Sequence, residues 1–109
     1  MPMVEAVFLY TTWPDAETAQ VCGAEAVNQG LAACANIGSP MVSIYRWKGT
    51  VERASETPMI LKTSQARAGA LRDFIAGRHP YEVPCILALS VAEAASSPPF
   101  LAWIAAETS

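Results

Sequence analysis

One segment constrains this chain more than any other. Val4-Glu5-Ala6-Val7-Phe8-Leu9-Tyr10-Thr11-Thr12 is apolar, β-branched or aromatic at nearly every position. A half-buried strand alternates polar and apolar residues, so an unbroken run predicts a strand covered on both faces. The segment Cys85 to Val91, CILALSV, has the same character. A small chain holding two such strands must cover both faces of one sheet.

The segments between them supply cover for one face only. Ala16 to Gln29 places Ala19, Cys22, Gly23, Ala26 and Val27 at helical spacing, with Thr12 or Asp15 as N-cap, Pro14 in the first turn and Gly30 as stop. Gly23 inside that helix predicts close approach to a sheet, because glycine there costs about 1 kcal/mol against alanine. Leu31 to Ile37 is apolar, Gly38-Ser39-Pro40 interrupts it, and Met41 to Trp47 resumes as a strand, with Pro40 marking a bulge or edge. Lys48-Gly49 is a tight turn, and Thr50–Thr57 with Pro58–Thr63 returns as the other side of a long β-hairpin. Ser64 is the expected cap of a second helix, Gln65 to Arg78, whose inner face is Leu71, Phe74, Ile75 and Arg78 with small Ala68 a turn earlier. Pro80 ends it. After the strand at 85–91, a short apolar helix spans Phe100 to Glu107.

The order is β-α-β-β-α-β plus a terminal helix, one domain over residues 1–109. It predicts an α+β, ferredoxin-like fold with an antiparallel sheet. Two main helices cover one sheet face, so the other face requires neighbouring subunits. Composition agrees. Hydrophobic residues make up 52% and charged residues only 16%, against roughly 25% charged in an average soluble domain.

Several functions drop out. The seven basic residues are scattered and the net charge is −3, so nucleic acid is not an expected partner. No apolar run approaches the ~18–20 residues of a spanning helix, and MPMVEAVFLY reads as a strand rather than a signal peptide, so no membrane partner is expected. Three cysteines at wide spacing, Cys22, Cys34 and Cys85, read as reduced thiols of a cytoplasmic protein. One histidine, His79, and no CxxC pair give no structural zinc set. The loop after the first strand has no thiols for a soft-metal chaperone, the 59–63 strand has no stacking aromatics, and no glycine-rich phosphate loop exists.

Two clusters remain. His79-Pro80-Tyr81-Glu82-Val83-Pro84 sets an imidazole, a phenol and a carboxylate between prolines. Such a loop either holds a metal or small polar ligand, or stops the helix and aims the last strand. Tyr45-Arg46-Trp47 puts both aromatics on one strand face and Arg46 on the other, the composition of an interface. A Cys–His dyad has only His79 to work with, beside Cys34 or Cys85; Cys22 reads as a buried hydrophobe. No nucleophile–base–orienter set can be assembled, so no enzyme is expected.

These residues resemble the CutA divalent-cation tolerance family over about residues 4–104. The resemblance rests on Thr11-Thr12, GLAACANI at Gly30–Ile37, SIYRWKG at Ser43–Gly49, Lys62-Thr63, HPYEVP at His79–Pro84 and LAWI at Leu101–Ile104, in the family's order and spacing. Pro40 and Met41 depart from the glycine-containing turn more usual there. The resemblance implies a ferredoxin-like homotrimer, with the hairpin joining neighbouring sheets. It implies inter-subunit clefts gathering Cys34, Tyr45, Trp47, Lys62, His79, Tyr81 and Glu82, tolerance of copper and other divalent metals, and no established catalysis.

The expected function is therefore a response to divalent metal ions by a cytoplasmic homotrimer. No cofactor is required. Cu(II) or another divalent metal would contact His79, Cys34 and Glu82 with modest affinity. Tyr45, Trp47, Lys62 and Tyr81 would line the cleft. The alternative is a regulatory trimer that takes a small anion or metabolite there, with Lys62, Arg46 and the aromatic pair supplying charge and stacking. A scaffold without ligand is a third reading.

Overall fold

The structure is a computed structural model that describes residues 5–109. The first strand, β1, runs Ala6–Trp13; the expected start at Val4 lies outside the described residues. Helix α1 follows at Ala16–Asn28, then β2 (Cys34–Ile37), β3 (Met41–Trp47), β4 (Thr50–Ser64), α2 (Gln65–Arg78), β5 (Ile86–Ser90), a 3-10 turn at Glu93–Ala95, and α3 (Pro98–Glu107). The sheet order is β2-β4-β1-β5 with β3 also on β4, all pairs antiparallel. That is the ferredoxin-like plan.

Local chemistry explains the boundaries. Asp15 is the cap of α1: its Oδ1 accepts from the Thr18 N–H at 2.7 Å and from the Thr18 hydroxyl at 2.7 Å. Pro14 therefore precedes the cap instead of opening the helix. Helix α2 starts after Ser64, but the Ser64 side chain makes no cap bond. Its hydroxyl lies 3.0 Å from that of Thr108, so the expected cap serves instead to tie α3 to the sheet. Lys48 and Gly49 both take positive φ, 50° and 82°, the two-residue hairpin turn whose twist matches the flanking strands.

Strand β4 is one continuous element of 15 residues, where the sequence suggested two parts joined at Pro58. β2 and β3 lie in succession along one edge of it. Ile37 pairs with Met59 and Met41 with Glu56, so three residues, 38–40, oppose two. This is the bulge that Pro40 signalled, and the N–H that Pro58 lacks falls there. Beyond the bulge the β3–β4 hairpin leaves the body as an arm. The chain measures 50 × 27 × 23 Å, and its radius of gyration, 14.7 Å, exceeds the about 13 Å of a compact chain this long.

The core lies between the sheet and α1 with α2. Val7, Leu9, Trp13, Met59, Leu61, Leu71 and Ile75 are its buried large residues. Gly23 lets α1 approach, because a Cβ there would sit 2.8 Å from Met59 Sδ and 3.1 Å from the Ala35 Cβ. The opposite face of the sheet carries Phe8, Tyr10 and, by register, Ile60, Leu87 and Leu89. Helix α3 covers only one end, packing Leu101 and Ile104 on Ala6 and Ala33. Leu87 and Leu89 stay 59% and 52% exposed.

Candidate functional site

The HPYEVP loop is built on a buried network. The Thr11 hydroxyl donates to the Met59 carbonyl at 2.8 Å and accepts from the Trp13 indole N–H at 2.7 Å. His79 packs on Trp13, with ring centroids 4.2 Å apart and planes tilted by 31°, and Tyr81 packs against His79 at 4.7 Å, tilted by 54°. His79 Nδ1 accepts from the Tyr81 backbone N–H at 3.1 Å, so Nε2 is the protonated nitrogen and donates to the Thr12 carbonyl at 2.8 Å. Both ring nitrogens are thereby engaged and the residue is buried. In this arrangement His79, expected as a metal ligand, has both ring nitrogens bonded within its own chain. Its role in this arrangement is to brace the loop against the end of β1.

The braced loop faces the arm across a cleft of about 510 Å³. From the arm come Ser43, Tyr45, Trp47, Glu52 and Glu56; from the loop and strand ends come Tyr81, Glu82, Val83, Cys85 and Thr12. Alternation along β3 aims Ser43, Tyr45 and Trp47 the same way. Pairing across the turn sets Tyr45 opposite Glu52 and Met41 opposite Glu56. Desolvation first, and then the neighbouring Glu52 and Glu56 carboxylates, push the Tyr45 phenol above its ordinary range. Tyr81 is raised for the same two reasons, with Glu56 as its principal neighbour. The phenols thus stay neutral donors beside carboxylates.

Four of the residues expected to gather here do so: Tyr45, Trp47, Tyr81 and Glu82. Cys34 and Lys62 do not join them within one chain. They pair with each other across β2 and β4, opposite Phe8, four residues along β1 from Thr12, which is about 13 Å of strand. Lys62 Nζ lies over the Phe8 and Phe100 rings at 5.6 and 5.4 Å, and Cys34 Sγ contacts Asn36 Oδ1 at 3.4 Å. Arg46 alternates to the other face of the arm. Within one chain the cleft lining therefore includes three carboxylates and neither Lys nor Arg. Among the described residues no three His, Cys, Asp or Glu side chains form a metal-holding group.

Sequence reasoning missed Glu52, Glu56 and Ser43 as cleft residues, and weighed Cys85 only as a partner of His79. The turn at Lys48-Gly49 contained the signal for the glutamates: counting outward from it pairs position 45 with 52 and 41 with 56. As a sequence, Thr50–Thr57 reads only as one side of the hairpin.

A family profile described as "CutA1 divalent ion tolerance protein" matches residues 7–107. The chain belongs to the CutA1 family. It is 38% identical over 95 residues to Protein CutA of Mus musculus, covering 87% of this chain. It spans about half, 52%, of that relative's length. It is likewise 38% identical over 100 residues to the divalent-cation tolerance protein CutA of Salmonella newport (strain SL254), covering 92% of this chain and 85% of the relative. Among solved structures, the periplasmic divalent cation tolerance protein CutA from Archaeoglobus fulgidus superposes with a TM-score of 0.89 at 34% identity, covering 95% of this chain and 99% of that one. The CutA1 match spans the sheet from Val7 onward, the arm and the HPYEVP loop.

Proposed function

We propose that this chain acts in the response to divalent metal ions, copper among them, as a cytoplasmic homotrimer that contacts the metal weakly at clefts between subunits and carries out no catalytic step. The observation that supports it best is the cleft's charge: carboxylates without a counter-cation among its lining residues attract cations and repel anions. Of the expected ligands only Glu82 reaches the cleft within one chain. A second copy completes the set, and Cys34 is the expected contributor. Carboxylate oxygen suits Cu(II); Cu(I) would demand more sulfur.

Assembly is supported by the uncovered apolar surface. Leu87 and Leu89 are exposed on one face of the sheet, and Val42, Ile44 and Val51, by register, on the other face along the arm. Two exposed apolar surfaces on a small chain mark interfaces. Sedimentation is expected to give a trimer that Leu89→Glu dissociates; a wild-type monomer overturns this. Calorimetry of metal-free protein with Cu(II) is expected to show weak binding that Glu82→Gln reduces. No heat, or an unchanged titration for the variant, overturns the metal contact. Three thiols with no disulfide among them support the cytoplasm, and fractionation of the native host tests it.

A further inference from the structure

The walls of the cleft carry more than charge. Three aromatic rings, Tyr45, Trp47 and Tyr81, enclose the same space as Glu52, Glu56 and Glu82. A divalent metal ion gains little from such walls, since it prefers to keep its water or take oxygen and nitrogen donors. Aromatic faces instead attract a cation whose own surface is partly apolar: the ring quadrupole stabilises the charge while the ring buries the alkyl part. The carboxylates then accept hydrogen bonds from N–H groups. Volume fits too, because about 510 Å³ lies within the ordinary range of small-ligand sites.

We propose that the cleft between the hairpin arm and the 79–85 loop binds a small organic cation of the alkylammonium class. The ammonium lies toward Glu52, Glu56 and Glu82, and the alkyl chain lies on Trp47 and the two tyrosines. Tyrosine phenols are uncharged at neutral pH, so Tyr45 and Tyr81 offer ring faces and no additional anions. Glu82 is shared with the proposed metal contact, whereas the aromatic walls serve the organic cation alone.

Three four-carbon probes separate the possibilities: n-butylammonium, n-butanol and n-butyrate, titrated into the chelator-treated full chain at constant ionic strength. Amide and indole shifts are followed by NMR. Butylammonium is expected to shift Tyr45, the Trp47 indole and Tyr81 saturably, with a dissociation constant at least about tenfold below that of butanol. Butyrate is expected to produce no saturable shift. Trp47→Leu, at an exposed arm position, is expected to weaken butylammonium by about three- to tenfold and butanol by less, because leucine still packs on the alkyl chain but offers no ring quadrupole to the ammonium. Glu56→Gln should weaken only the cation. Equal binding of cation and alcohol overturns the proposal, as does preference for butyrate. Absence of shifts at these residues, the result if a second copy fills the cleft, also overturns it. So does a Trp47→Leu variant that is folded by its spectrum and binds butylammonium as the wild type does.

Discussion

Thr11→Val is nearly isosteric and removes one buried oxygen on which two other groups depend. Trp13 is 0% exposed, so its indole N–H, 2.7 Å from that oxygen, would have no water to turn to. An orphaned buried donor costs about 1–3 kcal/mol, and the lost bond from Thr11 to the Met59 carbonyl about 1 kcal/mol more. The expected destabilisation is about 2–4 kcal/mol. Denaturant unfolding followed by circular dichroism measures it, at one fixed protomer concentration because assembly shifts the transition. Thr11→Ser retains the hydroxyl and should lose about 1 kcal/mol or less, the smaller cost of a missing methyl. In the Trp13→Phe background, where no indole N–H remains, Thr11→Val should cost at least about 1 kcal/mol less than in the wild type. The indole resonance of Trp13 should move, and with it the Tyr81 signals, because Trp13 supports His79 and His79 supports Tyr81. A loss under about 0.5 kcal/mol, or equal losses in both backgrounds, would refute the view that this oxygen anchors the loop.

Gly23→Ala places a methyl 2.8 Å from Met59 Sδ. Overpacking at about 1–3 kcal/mol should outweigh the helix-propensity gain of about 1 kcal/mol, and the sign should reverse in a Met59→Ala background, read by denaturant midpoints. Raised phenol ionisation at Tyr45 and Tyr81 stabilises the fold below the unfolded tyrosine value, and that contribution disappears as pH rises through the folded values. Tyr45→Phe and Tyr81→Phe should each remove a late-ionising phenolate from a 295 nm alkaline titration, and an unaltered curve would refute the assignment. Asp15 is held below the ordinary carboxylate range by the Thr18 N–H. Asp15→Ala should therefore lower the melting temperature at neutral pH, with the gap from wild type closing as acid titrates the wild-type cap.

Much of this was legible in the residues because it depends on short-range chemistry. Asp15 capping α1, Gly30 ending it at φ 72°, the Lys48-Gly49 turn and the bulge near Pro40 are all decided within a few positions. Gly23 pointed to close packing without naming Met59, since that contact spans the fold. The site was legible as residue types and less so as roles. His79 read either as a ligand or as part of a structural turn; the Thr12 carbonyl that accepts its hydrogen bond is 67 positions away. Lys62 and Cys34 share the family pattern with Tyr45 and Trp47, yet strand length keeps them at the other end of β1. Ser64 looked like a cap and became a tether, because Thr108 arrives beside it from the last helix.

The unbroken β4 makes the arm adjustable under one strict rule. Its outer half, Thr50 to Glu56, pairs only with β3 in the described sheet, so length can be added at the Lys48-Gly49 tip without touching the core. Side chains alternate with a period of two. Residues inserted as one on each side of the turn would therefore lengthen the arm by a single step and rotate nothing nearer the body, whereas a lone insertion in one strand would turn its remaining residues over. An insertion between Tyr45 and the bulge would swing Tyr45 and Trp47 out of the cleft and bring Arg46 in. Divergence among arms of this design should accordingly proceed by paired insertions at the tip, with the cleft inherited intact.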